Sequence, residues 1–336
     1  MNTETSATSA HNAAKQTIAF WVTGEAKGEL MREPLNACDK AHVKVRTLYS
    51  AISRGTEMLV FNNRVPVSEH EHMRAPFQGG NFPYPVKYGY INVGVVEEGP
   101  DYLRGKTVFC LYPHQKRYVV PVDAVTVVPE NIPPARAVLA ANMETAVNAL
   151  WDANVNIGDQ VSVVGAGVIG CLVAYLASRI TGCQVELIDN NASRLETARL
   201  LNVAFATPEN AATERDLLVH ASASESGLNT AIRLAGMEAK IIELSWFGDR
   251  TVSASLGGAF HSKRLQICCS QVGQIAPAQR ARWSYSRRLK LAISLLDNPM
   301  LDCLISGESQ FEQLPGLMQV LSRGEPNTLC HRIRYS

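Results

Sequence analysis

"VSVVGAGVIGCLVAYLASRI", residues 161–180, decides the fold. A β-branched apolar run enters a turn with glycines at 165, 167 and 170, and an apolar helical pattern leaves it. In a G-x-G-x-x-G unit Gly165 permits the tight turn. Gly167 lets the backbone approach a pyrophosphate, and Gly170 lets helix and strand pack closely. Val168 and Ile169 open the helix, whose free N–H groups and positive dipole end face the phosphates. The next strand, "CQVELIDN", ends in Asp189, 19 positions after Gly170. That is close to the ~20 expected for an acid that hydrogen-bonds a ribose. A carboxylate there repels a 2′-phosphate, so the cofactor reading is NAD(H) over NADP(H). The plainer alternative is tight packing by the glycines and a turn role for Asp189.

Strands and helices alternate outward from this unit. A helical pattern over "ARAVLAANMETAVNALWDA" precedes it. After it come "SRLETARLL" (helix), "VAFAT" and "DLLVHAS" (strands), a short helix near Leu228–Leu234, then "AKIIELSWFG" and "RLQICCSQVG" (strands). Such alternation predicts an α/β doubly wound parallel sheet with helices on both faces. Ligands of such sheets lie at the carboxyl ends of the strands. That places His220, Ser222, Trp246–Gly248, Ser270 and Gln271 near a cofactor channel, with a plain loop role as the default for each.

The first third reads differently. "TIAFWVT", "HVKVRTLYSAI", "NVGVVEE", "KTVFCLY" and "KRYVVPV" are short strands broken by Gly, Pro and Asn. They predict a compact β domain with one long loop over residues 63–90. The domain reading is a disordered tail over 1–16, the β domain over 17–134 and the dinucleotide domain over 135–273. Residues 274–336 are assigned as a return to the β domain.

Bulk properties narrow the partners. The 336-residue chain carries a formal charge of +1, so nothing electrostatic favours nucleic acid or an acidic membrane. Its eight cysteines form no C-x-x-C pair, which reads as free thiols in a reducing compartment. With no apolar run of bilayer length, the expected location is cytoplasmic and the expected partner a small-molecule substrate.

With a β domain first, the glycine unit second and a C-terminal return, the chain resembles the medium-chain dehydrogenase/reductase superfamily. The resemblance implies a GroES-like catalytic domain beside the Rossmann domain, with active sites in the cleft between them. It also implies a homodimer through the Rossmann sheet edge, where "RLQICCSQV" stands. Zinc members carry a G-x-C-G-x-D-like loop, and here "ISRGTE" puts Arg54 in the cysteine slot. A one-residue shift puts Ser53 there. Where those members have a Gly-His-Glu, "KYGYINVGVV" puts Tyr90 and Ile91, and Ala140 or Ala141 falls in the third ligand slot. The four-cysteine structural zinc lobe is missing from the sequence. The expectation is therefore a zinc-free member, with no metal site. Within the superfamily "AISRGTE…VKYGY…NVGVVE" resembles the bacteriochlorophyllide hydroxyethyl dehydrogenase-like group, which implies an alcohol–ketone oxidoreductase.

Hydride transfer to a carbonyl needs a group that stabilises the developing alkoxide and one that moves a proton. Arg54, a permanent cation with several donors, and Tyr90, a phenol, are the candidate catalytic residues. The plainer reading pairs Arg54 with Glu57 or Glu144 and makes Tyr90 packing. Glu57 reads as a helix-start acid, His114 as a surface-turn histidine, and His70 and His72 as solvated. The run Arg280, Arg282, Arg287, Arg288 and Lys290, with Trp283 and Tyr285, reads first as a solvated helix face and second as an anion clamp. Two rival functions stay open. One is a zinc-free enone or quinone reductase. The other is a non-catalytic dinucleotide-binding sensor or scaffold.

Overall fold

The computed structural model describes residues 16–325 and 327–336. The expected tail lies outside them, except that Gln16 already belongs to the first strand. The chain divides into two compact units. One runs to Leu139 and takes back Gly307–Glu325 and Cys330–Ser336, and the other holds Ala140–Ser306.

In the first unit β1 (Gln16–Gly24) and β2 (Lys27–Pro34) form an antiparallel hairpin that buries Phe20 and Val22 on one face and Ala19 on the other. β3 (His42–Ile52) is the organising strand. Its inward residues Val43, Val45 and Thr47 recur with the period of two that a half-buried strand requires. Helix α1 (Arg54–Phe61) starts two residues after β3 ends. The short strands β4 (Gly79–Gly80) and β5 (Val86–Lys87) lie within the long loop and extend the hairpin in the order β2-β1-β5-β4. β6 (Asn92–Glu98), β7 (Thr107–Cys110), β8 (Arg117–Pro121) and β9 (Val125–Val127) follow, then the short helix α2 (Pro134–Ala137). β6 pairs along β3 and β7 along β6. β8 pairs with the first half of β3.

The second unit begins with α3 (Ala140–Ala153), an alanine-rich helix buried on most sides. Six parallel strands follow: β10 (Gln160–Val164), β11 (Gln184–Ile188), β12 (Ala204–Ala206), β13 (Arg215–His220), β14 (Ala235–Glu243) and β15 (Gln266–Cys269). Their order is β12-β11-β10-β13-β14-β15, all parallel. Counted within the sheet this is 3-2-1-4-5-6, the Rossmann order, with its reversal between β10 and β13. The linking helices are α4 (Val168–Ala177), α5 (Arg194–Leu200) and α6 (Glu225–Leu234).

Residues 274–306 pack in this second unit. The predicted return at 274 is therefore displaced to Gly307, and the first boundary to 139/140. The reason is α7 (Tyr285–Ser294), which packs on α3. Arg288, predicted as part of a solvated face, is 2% exposed. Its Nε donates to Glu144 Oε1 at 3.0 Å, and its other nitrogens donate to Asn148 Oδ1 at 2.6 Å and the Val272 carbonyl at 2.6 Å. Burial raises the Glu144 carboxyl, and Arg288 pulls it back. Arg280 and Arg282 precede the helix, and Arg287 stacks on Trp283 at 3.8 Å. A 3₁₀ turn over Pro299–Leu304 follows. The chain then re-enters the first unit through β16 (Ile305–Gln310), α8 (Leu314–Ser322) and β17 (Cys330–Arg334). β17 pairs with the second half of β3, from Tyr49 to Ile52.

Removing one member of a buried ion pair costs about 3–5 kcal/mol, because the other charge stays buried and unpaired. Arg288→Met is expected to lower urea-unfolding stability by about that amount, and adding Glu144→Leu to recover most of it.

Candidate functional site

The glycine turn is sterically determined. Gly165 adopts φ +110°, and a Cβ there would lie 2.7 Å from Ser222 N at the end of β13. A Cβ on Gly170 would lie 1.9 Å from the Gly165 carbonyl oxygen. A Cβ on Gly167 would meet nothing within 4 Å. Two glycines thus serve contacts inside the protein. The third fronts open space at the start of α4, where Val168 and Ile169 carry first-turn N–H groups without intrahelical partners. A pyrophosphate fits that cradle.

Asp189 follows directly on β11. Its Oδ2 accepts from Ala166 N at 2.7 Å and its Oδ1 from Asn191 N at 2.8 Å. A carboxylate has about four acceptor positions, so each oxygen retains a lone pair while Oδ2 fixes the glycine turn and Oδ1 the turn after β11.

In the first unit the end of β3 and the start of α1 carry a buried polar chain. Glu57 is 3% and His114 1% exposed. Glu57 Oε1 accepts from Ser53 N at 2.8 Å, and Oε2 lies 2.9 Å from His114 Nε2. His114 Nδ1 lies 2.7 Å from Ser50 Oγ, and Ser50 lies 2.9 Å from the Tyr335 hydroxyl. Glu57 is therefore the helix-start acid expected, reaching back to the residue before α1. His114 is not the surface histidine expected, because β3, α1 and the C-terminal strand close over it.

Arg54 is the first residue of α1, and Tyr90 stands just before β6. The Tyr90 hydroxyl donates to Ser53 Oγ at 2.5 Å. Burial pushes its phenol up to about 12, while hydrogen bonds with Ser53 and Thr56 pull the other way. Three hydroxyls, from Ser53, Thr56 and Tyr90, thus cluster at the two slots where the resemblance places zinc ligands. The sequence reading missed Ser53 and Thr56 as a group, although both flank Arg54-Gly55. Tyr335 left no signal, being 285 residues from its partner.

These residues do not fit a catalytic zinc, which takes three protein ligands with thiolate, imidazole or carboxylate donors. A guanidinium repels the ion and a phenol at about 12 stays protonated. Ala140 and Ala141 offer no donor atom. Among the described residues no three His, Cys, Asp or Glu side chains are grouped to hold a metal. Glu144 is bound to Arg288, His70 lies 3.3 Å from the Val65 carbonyl, and His72 is exposed. Ser270 donates to Asp152 Oδ2 at 2.6 Å, so it holds α3 to the end of β15.

No family model matches the chain. It is 25% identical over 295 residues to the D-guloside 3-dehydrogenase of Escherichia coli (strain K12), covering 78% of this chain and 83% of that one. It is 25% identical over 218 residues to the D-xylulose reductase A of Aspergillus niger, covering 62% of this chain and 60% of that one. Among solved structures, L-idonate 5-dehydrogenase from E. coli K-12 superposes with a TM-score of 0.77 at 13% identity, over 95% of this chain and 98% of the other. An E. coli CFT073 protein described as a short chain alcohol dehydrogenase, complexed with the cofactor NADH, gives 0.76 at 15% identity, over 95% and 99%.

Two alanine substitutions separate the roles of the glycines. Gly170→Ala drives a methyl into backbone and is expected to cost about 1–3 kcal/mol, the usual penalty for overpacking, read as a lower midpoint in thermal unfolding. Gly167→Ala is expected to change that midpoint little and to weaken dinucleotide binding, read by titration.

Proposed function

We propose, from the premise that this chain is a medium-chain dehydrogenase/reductase-like oxidoreductase, that it moves a hydride between NAD(H) and an alcohol–ketone pair without zinc. The names of the relatives, a guloside dehydrogenase, a xylulose reductase and an idonate dehydrogenase, support a secondary alcohol on a polyhydroxylated compound as the substrate class. One observation carries the zinc-free reading: the Tyr90 phenol, held on Ser53 at 2.5 Å, stands where a metal-binding imidazole is expected.

Bound NAD(H) would supply or accept the hydride. The residues of the chain do the rest. The turn at Gly165–Gly170 and the first amides of α4 hold the pyrophosphate. Asp189 takes ribose hydroxyls and disfavours a 2′-phosphate, which supports NAD(H) over NADP(H). Tyr90 donates to Ser53, so the Ser53 hydrogen is free to point at a carbonyl oxygen. Arg54 adds positive charge beside it. During reduction the Ser53 hydroxyl gives its proton to the developing alkoxide and recovers one from Tyr90. With its phenol near 12, Tyr90 serves as donor rather than base at neutral pH. Glu57 holds the Ser53 backbone and is itself fixed by His114.

The same reading covers assembly and location. Among the described residues β15 pairs on one side only, with β14, and Ile267 is 37% exposed on it. An open edge of this kind fits pairing with a second copy. The cysteines are all free, which fits a reducing compartment such as the cytoplasm. Among the described residues no helix is long and apolar enough to cross a membrane.

Tyr90→Phe and Ser53→Ala are each expected to lower kcat at least tenfold on secondary alcohols, on the scale of general acid catalysis, with the NADH Kd unchanged. Turnover on quinones with none on alcohols favours the enone or quinone reductase instead, and tight NADH binding with no turnover favours the sensor. Elemental mass spectrometry of the purified protein is expected to find zinc far below one ion per chain, and a stoichiometric value overturns the zinc-free reading. Ile267→Lys is expected to shift the sedimentation of a dimer to that of a monomer.

A further inference from the structure

The second unit holds a polar chain that the mechanism above does not use. His220, the last residue of β13, is 0% exposed. Its Nδ1 lies 2.7 Å from Glu243 Oε2 at the end of β14, and its Nε2 lies 2.7 Å from Ser222 Oγ. Ser222 Oγ lies 2.8 Å from Ser224 Oγ, which caps α6 by accepting from Gly227 N at 3.1 Å. The second carboxylate oxygen of Glu243 accepts from Ser245 N at 2.7 Å. Gly227 is needed for this arrangement, because a Cβ there would lie 2.1 Å from Ser222 Oγ and 2.8 Å from His220 Nε2.

The carboxylate fixes the direction of every hydrogen in the chain. Facing Glu243, Nδ1 carries the ring proton, and on a singly protonated ring Nε2 is then an acceptor. Ser222 must then donate its single hydrogen to Nε2, so Ser224 donates to Ser222. Ser222 Oγ is left with one unused lone pair and no hydrogen to offer outward. It accepts, and cannot donate.

Its place in the fold says what it can accept from. The Ser222 backbone packs directly against Gly165, since a Cβ on that glycine would lie 2.7 Å from Ser222 N and 2.8 Å from Ser222 Cα. The reversal of strand order lies between β10 and β13. Ligands of such sheets bind in the crevice at that reversal, outside the carboxyl ends of the strands. Gly165–Gly170 form the β10 side of the crevice and Ala221–Ser224 the β13 side. A dinucleotide with its pyrophosphate on the first side lays one half beyond it. Asp189, at the end of β11 on the far side of β10, claims the adenosine ribose.

We propose that Ser222, oriented by His220 and Glu243, accepts a hydrogen bond from the nicotinamide half of the dinucleotide, from its carboxamide N–H or a ribose hydroxyl. The inference rests on the NAD(H) reading above. Ser222 is the contact residue, and His220 and Glu243 are positioning residues that decide the direction in which its hydrogen points.

Glu243→Gln is the incisive variant. A glutamine amide oxygen still accepts from Ser245 N, while its NH₂ donates to Nδ1. The ring proton then moves to Nε2, Ser222 becomes the acceptor inside the chain, and its hydrogen turns outward. No bond is lost, and only the direction reverses. The test is calorimetric and fluorescence titration of the full chain with NADH, ADP-ribose and ADP, for wild type, Ser222→Ala and Glu243→Gln, with thermal midpoints as the folding control.

Ser222→Ala is expected to bind NADH about fivefold to tenfold more weakly, the effect of about one hydrogen bond, Glu243→Gln to match it where the partner is the carboxamide N–H, and both to bind ADP as wild type does. An ADP-ribose loss matching the NADH loss assigns the partner as the ribose hydroxyl, and an unchanged ADP-ribose affinity assigns it as the carboxamide. Equal losses for NADH and ADP, no loss in Ser222→Ala, or no loss in Glu243→Gln where an unchanged ADP-ribose affinity has assigned the carboxamide, overturn the proposal. A wild-type chain that binds ADP but gains nothing from the nicotinamide half also overturns it, with the cofactor reading intact. A wild-type chain that binds neither removes the NAD(H) reading and this inference together.

Discussion

The second unit depends on one close approach. Only a hydrogen fits between Gly170 and the Gly165 carbonyl. That contact lets α4 start directly against β10 and sets the depth at which the helix lies on the sheet. Gly165 in turn lies against the backbone at the end of β13, so the turn also fixes the spacing of the two strands between which the sheet order reverses. Asp189 braces the same turn from the β11 side through Ala166 N. Three neighbouring strands therefore meet at one loop. The loop that Gly165 and Gly170 hold closed also carries Gly167, which fronts open space.

The first unit is organised around buried charge rather than close backbone contact. Glu57 and His114 lie under 5% exposed and face each other at 2.9 Å. Neither is left unsatisfied, because Ser53, Ser50 and Tyr335 take up the remaining polar atoms. A buried polar group costs free energy unless it is hydrogen-bonded, so the chain of bonds specifies one arrangement of β3, α1 and the C-terminal strand. Lys87 follows the same rule, with Glu33 at 2.5 Å and Gln115 at 2.7 Å. The hydroxyls that stand in the expected ligand slots rest on this framework, which holds Ser53 by its backbone and leaves its side chain to Tyr90.

Much of this was legible in the amino-acid sequence. The order strand, G-x-G-x-x-G, helix, strand, acid determined the parallel unit and the position of Asp189, because those features depend on backbone sterics that act over a few residues. Arg54 and Tyr90, standing where the resemblance places a cysteine and a histidine, were equally readable, since a guanidinium and a protonated phenol are not among the usual donors to zinc.

Tertiary structure alone decided the rest, for a physical reason that recurs. A histidine in a turn-like stretch and an arginine in a basic run look solvated when only their neighbours in sequence are known. His114 is buried because strands far apart in the chain close over it, and Arg288 because α3 presents Glu144 and Asn148 to it. That second contact lies within the unit that runs from Ala140 to Ser306. Likewise Glu243, His220 and Ser222 come into line only because parallel pairing places the ends of β13 and β14 side by side. Local pattern fixes backbone conformation, whereas the cost of burying charge is met by partners that only the folded chain brings within hydrogen-bonding distance.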